Sequence, residues 1–233
     1  IYGKLLDNFY HLTLDKLIIN SQSHKKYALG FEFKKYEIIN NPFQLENYLK
    51  ERINNKLIYK NGEINIVFIS IPSKEKGLLE SINLISKVFK NDDWSLNVIG
   101  WSKKNFIEVY FNESNLDVKI LERVNFLGKV NDKEKYDVLL KSHLFVLLSY
   151  KEAQPLSVIE AGIFKCGIIL SDIEMLLEFK KFESVLFNNQ KLTKTKILKV
   201  LKSNASLNET SNILEKFHSL DRYKKNIINS FII

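Results

Sequence analysis

The chain reads as an α/β protein: a Rossmann-like parallel sheet with helices on both faces. Three observations predict it. From Ile64 onward, short apolar runs of strand length alternate with segments of helical periodicity, the pattern of a parallel sheet covered on both sides. Gly100, Gly128, Glu152 and Asp172 fall at the carboxyl ends of those runs, where such sheets bind ligands. The run Leu144 to Leu148 passes into a polar loop and then Pro155. Proline's fixed φ suits a first helical residue, so this stretch predicts strand, loop and helix in that order.

The elements follow in turn. Ile1 to Thr13 reads as a helix end, and Asp15 to Ser21 as a short strand leading to a helix start at Ser21 or Ser23. Tyr36 to Ile39 is a strand, broken by Asn40-Asn41-Pro42-Phe43. Gln44 to Tyr59 is helical and polar, and residues 44–62, closed by an Asn61-Gly62 turn, read as an interdomain connection. Ile64 to Ile71 is a buried strand. Leu78 to Lys90 is a helix, because Leu78, Ile82, Leu84, Ile85, Val88 and Phe89 recur at helical spacing. Leu96–Ile99 and Val124–Leu127 are strands, Phe106–Phe111 is helical, and Asp132–Lys141 is a helix capped by Asn131 or Asp132. Gly167–Leu170 is a strand ending at Ser171-Asp172, and the pattern beyond Glu183 is polar and helical to the end.

Composition narrows the function classes. The chain has 233 residues, 45% hydrophobic, enough for a sizeable core. A single cysteine, Cys166, forbids an intrachain disulfide and suits a reducing compartment. No apolar run approaches the ~18 residues of a membrane span and no signal-peptide pattern opens the chain, so a cytoplasmic protein is expected. The net charge of +8 favours an anionic partner, with peripheral contact at an anionic membrane surface ahead of nucleic acid. The lysines are spread along the chain without a nucleic-acid motif, and no nucleic-acid partner is expected. His11, His24, His143 and His218 show no metal spacing and Asp-x-Asp is absent, so no metal is expected.

The chemistry concentrates around the predicted helix after Pro155. Glu152 lies in the loop before it, and Glu160 lies about 7.5 Å along its axis, which places the latter at a cleft edge. The open N–H groups of a helix N-terminus favour an anion. A ligand with phosphate and several hydroxyls fits: phosphate on the helix end, hydroxyls on the carboxylates. Taken alone, such a pair is also what a loop Glu and a solvent-facing helix Glu look like. The loop Ser73-Lys74-Glu75-Lys76-Gly77 opens another helix and sets a lysine beside its N-terminus, a second phosphate position.

Glu152 and Glu160, with Pro155-Leu156-Ser157-Val158-Ile159 between them, stand at the spacing of the E-x7-E motif of the retaining glycosyltransferases of family four, or group 1. The sequence resembles that family over about residues 12–180, most firmly 64–172. The resemblance implies the GT-B carboxy-terminal domain over 63–190, carboxy-terminal helices over 191–233, and residues 1–43 as the incomplete end of an amino-terminal acceptor-side domain. It implies sugar transfer with retention from a nucleotide-diphosphate sugar to a glycan or lipid-linked acceptor, in cell-surface polysaccharide biosynthesis and without a metal. In site terms, Lys76 and Glu152 are the catalytic pair, on the diphosphate and the donor-sugar hydroxyls. Glu160 holds the ribose, the amides of Leu156 and Ser157 hold the diphosphate, and Gly128-Lys129-Val130 receives the nucleobase. The sequence departs from the family at Ile71, where an arginine is usual, and Lys74 is the nearest replacement, without arginine's bidentate fork. It departs again at Lys165, usually glycine, where Gly167 is expected to carry the turn. A non-catalytic sugar-nucleotide-binding or partner subunit of the same fold is the alternative.

Overall fold

A computed structural model describes residues 17–20, 36–110, 117–152, 154–189 and 191–231. Among them, six strands form one sheet: β3 (Ile64–Ile69), β4 (Trp94–Ile99), β5 (Val124–Gly128), β6 (Leu144–Leu147), β7 (Gly167–Ser171) and β8 (Val185–Asn188). Their order is β5-β4-β3-β6-β7-β8, and every neighbouring pair is parallel. The central strands are apolar on both faces because both faces are covered. All four residues of β6 are buried, and Ile64, Ile66, Val67 and Phe68 of β3 are fully so. Each such side chain contributes roughly 1.5–3 kcal/mol on burial.

Helices supply the cover. They are α1 (Asn47–Asn54), α2 (Leu78–Val88), α3 (Lys103–Tyr110), α4 (Val118–Leu121), α5 (Asp132–Lys141), α6 (Leu156–Ile163), α7 (Lys194–Leu201), α8 (Asn204–His218) and α9 (Leu220–Phe231). In α2 the predicted stripe turns inward, with Leu78, Ile82 and Ile85 buried. The start of α5 is fixed by a reciprocal cap. Asn131 accepts from the Glu134 amide and Glu134 accepts from the Asn131 amide, both at 2.9 Å. Two leading strands, β1 (Leu17–Ile19) and β2 (Tyr36–Ile38), pair in parallel by themselves. Of the apolar residues ahead of Pro42, Ile19 and Ile39 are buried and Ile18 is exposed. The helices expected at Ile1–Thr13 and from Ser21 or Ser23 lie outside the described residues. No described helix is long and apolar enough to cross a membrane.

The structure corrects four expectations about the elements and turns. β8 lies inside the stretch read as purely helical beyond Glu183. It is a four-residue edge strand with only Val185 buried, so no period-2 alternation marks it. The helix expected over Gln44–Tyr59 is only Asn47–Asn54, and just beyond its end Lys56 sends its ammonium to carbonyls inside the domain. Pro155 is the residue before α6 rather than its first, with φ −71° and ψ 108°.

The fourth correction concerns the turn after α6. It is carried by Lys165, at φ 55°, and not by Gly167. The Lys165 amide bonds Gly162 O and the Cys166 amide bonds Ala161 O, both at 3.0 Å, the pairing of a helix end that favours glycine at the left-handed position. Gly167 serves packing instead: a Cβ there would lie 2.8 Å from Leu201 Cδ2. Left-handed strain costs roughly 1–2 kcal/mol, and glycine's extra chain entropy returns part of it. Lys165→Gly is therefore expected to stabilise the fold by about 0.5–1 kcal/mol. A thermal melt with an unchanged or lower midpoint would refute this.

Candidate functional site

The strand order reverses between β3 and β6, which are neighbours although β4 and β5 intervene in the chain. Such a switch opens a crevice beyond the strands' carboxyl ends. Lys76, after β3, and Glu152, after β6, meet there: Nζ lies 2.8 Å from Glu152 Oε1. Their backbones are tied as well, since the Tyr150 amide bonds Glu75 O at 2.8 Å. Gly77, which follows Lys76, has φ 66° and lies directly against Leu148 O. Glycine is what lets the lysine loop approach the end of β6.

α6 begins beside this pair. Among the described residues, Val158 is its first amide to bond back, to Pro155 O at 3.1 Å, and no side-chain cap closes the turn. The amides of Leu156 and Ser157 precede it and form the open helix end that an anion would meet. Lys74 lies in the single 3₁₀ turn Lys74–Lys76 and is exposed. Ile71 is 70% exposed. An apolar side chain thus occupies an open position where the resembled family carries its arginine.

Glu160 departs from expectation. It is 8% exposed, not a cleft-edge carboxylate, and its Oε1 lies 2.7 Å from Lys135 Nζ. Burial pushes the Glu160 carboxyl above its ordinary range, and the Lys135 ammonium acts against that shift. Lys135 also touches Asp132 at 3.0 Å. Gly128-Lys129-Val130 ends β5 and leads through Asn131 into this first turn of α5. Gly128 takes φ 67°, its amide bonding Trp101 O at 2.9 Å. The 128–130 segment thus leads in sequence into the helix turn that carries Lys135, and each motif carboxylate has its own lysine: Glu152 pairs with Lys76 and Glu160 with Lys135.

Sequence reasoning missed three contributors. Lys135 reads as one of many helix-surface lysines. Its only local signal is the Asp132 three residues earlier. Lys56 sends its ammonium to Leu139 O (2.9 Å), Phe164 O (2.7 Å) and Cys166 Sγ (3.3 Å), tying the rear ends of α5 and α6 together. Desolvation lowers its pKa, partly opposed by Cys166. Gln154 accepts the Asn41 amide at 2.8 Å, linking the carboxylate loop to the segment after β2. His143 and Cys166, set aside from catalysis, have structural partners: His143 Nδ1 accepts the Asn65 amide at 3.1 Å, and Cys166 is buried against Ser142 O at 3.4 Å. Among the described residues, no group of three or more His, Cys, Asp or Glu side chains is arranged to hold a metal ion.

Comparison with protein-family models matches residues 50–217 to "Glycosyl transferases group 1". No curated protein sequence matches significantly. Solved structures with similar folds include sucrose-phosphate synthase from Thermosynechococcus elongatus (TM-score 0.72, 14% identity, 97% of this chain and 60% of that one). TarM from S. aureus, solved with UDP and α-GlcNAc-glycerol, gives 0.70 at 18% identity, over 99% of this chain and 46% of that one. HepE from Anabaena, solved with UDP-glucose, gives 0.74 at 12% identity, over 97% and 66%. The chain therefore spans between about half and two thirds of these proteins' lengths. At these identities the likeness is one of fold: the six-stranded parallel sheet and its helices are those of the GT-B glycosyltransferases.

Proposed function

This chain belongs to the group 1 glycosyltransferases, and from that membership we propose that it carries the donor-binding half of an enzyme that transfers a sugar with retention from a nucleotide-diphosphate sugar. The observation that carries the reading is the Lys76–Glu152 pair at the sheet's switch point, beside the uncapped start of α6.

In this reading the diphosphate lies on the Leu156 and Ser157 amides and takes the Lys76 ammonium from Glu152. Glu152, released, accepts from the donor-sugar hydroxyls. Glu160 grips the ribose, and the base rests on the backbone of 128–130. The bond from the anomeric carbon to the diphosphate breaks, the acceptor hydroxyl oxygen bonds that carbon on the same face, and the hydroxyl proton passes to the departing diphosphate. Negative charge gathers on the leaving diphosphate, where the helix end and Lys76 are already in place to stabilise it. Ile71 contributes no charge there. A missing charged contact costs on the order of 1.5–3 kcal/mol of donor binding, so weaker donor affinity is part of the reading. The acceptor is a glycan or a lipid-linked acceptor, and the basic surface suits peripheral contact with an anionic membrane.

The fold likeness to proteins solved with UDP and UDP-glucose makes uridine donors the first to try. Calorimetric titration with UDP, GDP and ADP, then with their glucose conjugates, is the test. Binding of at least one pair is expected, with the sugar conjugate at least as tight. No binding of any of them at millimolar concentration would overturn the proposal. Retention is tested by the anomeric configuration of the product, and an inverted product would remove that part alone.

A further inference from the structure

We propose that Lys135 is a positioning residue that holds the buried Glu160 carboxylate, as an anion, in the place where it grips the ribose of a nucleotide donor. The inference rests on the donor reading above and goes beyond it, since that reading gives Lys135 no role.

The two side chains are almost enclosed, at 17% and 11% exposure, and their 2.7 Å contact is a charge-assisted hydrogen bond. Both come from rigid elements. The capping box of Asn131 and Glu134 fixes the first turn of α5, and Tyr136 stacks on Phe164 at the far end of α6 with ring centroids 5.2 Å apart. Lys135 cannot swing freely, because Asp132 holds the same ammonium at 3.0 Å and the Tyr136 ring lies 5.0 Å from it.

The surroundings give the lysine a task. α5 presents Lys135, Asp132 and Tyr136 to the carboxylate. The neighbouring strands β6 and β7 present apolar side chains, and α8 meets α6 through Thr210, Ser211 and Leu214, all uncharged. Lys135 is thus the cation that offsets the burial of Glu160, against the like charge of Asp132. Its bond runs to Oε1, and no hydrogen bond among the described residues engages Oε2. One oxygen is held and the other is left for hydroxyls.

Removing the ammonium leaves Glu160 desolvated beside Asp132, and both effects favour the protonated acid. A protonated carboxyl is a weaker acceptor for ribose hydroxyls. Nucleotide affinity then falls as pH falls through the raised pKa and returns as pH rises above it. With Lys135 present the ammonium opposes that protonation, and affinity depends less on pH.

The experiment titrates whichever of UDP, GDP or ADP the wild-type chain binds best, across the acid-to-neutral pH range, and reads each variant against the wild-type profile, which carries the ligand's own phosphate titration. Lys135→Met is expected to bind at least about tenfold more weakly at the acid end and to recover toward the alkaline end. Lys135→Arg keeps the charge and is expected to follow the wild-type profile. In the Glu160→Gln background, Lys135→Met is expected to add no further loss, because the lysine acts through that carboxylate. A pH-independent loss in Lys135→Met marks a merely structural role and overturns the inference. So do unchanged or tighter binding, which means the lysine competes with the ribose, and additive losses in the double variant. Lys135→Gln, compared with Lys135→Arg, replaces Lys135→Met if that variant does not fold. Failure of the wild type to bind any of the nucleotides removes the donor reading and this inference with it; the other adverse outcomes remove the inference alone.

Discussion

Gly77→Ala is expected to cost the fold roughly 2–5 kcal/mol and to dislodge Lys76. Two effects add. The residue sits at φ 66°, where a side chain costs roughly 1–2 kcal/mol. A Cβ there would also collide with the Leu148 carbonyl, a backbone group that cannot rotate away. Forcing the loop off the strand end costs roughly a further 1–3 kcal/mol, as overpacking does. Stability of a domain is only about 5–15 kcal/mol in all, so the change is a large share of it. Gly62→Ala is the control. Its φ is 99°, but nothing lies within 4 Å of the added carbon, so only the backbone strain applies. Denaturant midpoints of the two variants separate strain from collision. Equal losses would show that the Gly77 contact with Leu148 has no steric consequence. In a folded Gly77→Ala protein, weakened nucleotide binding is expected as well, since Lys76 follows the displaced loop.

The second large effect separates the two carboxylates. Glu152→Ala frees Lys76 from its 2.8 Å ion pair before any ligand arrives. A bare nucleoside diphosphate no longer has to break that pair, and its binding is expected to tighten a few-fold, or up to about 1 kcal/mol for a partly exposed pair. In the proposed reading the sugar nucleotide loses its hydroxyl acceptor, and it is expected to weaken about tenfold, the equivalent of roughly 1.4 kcal/mol. Glu160→Ala is expected to weaken both ligands at least about tenfold, because charged acceptors contribute on the order of 1.5–3 kcal/mol per hydrogen bond. It also leaves the Lys135 ammonium with Asp132 alone, so a measurable loss of stability accompanies it. Calorimetry with both ligands on both variants is the measurement. Parallel losses in Glu152→Ala would mean that Glu152 serves the nucleotide rather than the sugar. Unchanged affinity in a folded Glu160→Ala protein would exclude Glu160 from the nucleotide site.

The sequence by itself determined the parallel sheet from Ile64 to Ser171. Apolar runs of strand length need cover on both faces, and the segments between them carry helical periodicity. The start of α5 was narrowed to Asn131 or Asp132, since a cap is a local arrangement within one turn, and the structure settles it at Asn131. Glu152, Glu160, Lys76 and the 128–130 segment were also named by spacing and by family resemblance, which are properties of the chain alone. Only the tertiary structure decided how they meet. That β3 lies beside β6, bringing Lys76 to Glu152, depends on strand order, which no local period encodes. Glu160 was placed at a cleft edge because helical spacing gives direction along one helix and says nothing of what packs on it. Its pairing with Lys135 joins side chains of α5 and α6, twenty-five residues apart in the chain. Lys56, over a hundred residues from Phe164 and Cys166, escaped notice for the same reason. β8 escaped because an edge strand with one buried residue has no alternation to read. At Lys165 the side chain argued against a left-handed turn, and the closure of α6 onto β7 imposed one: residue preference is worth about 1–2 kcal/mol, less than the burial of the strand that follows.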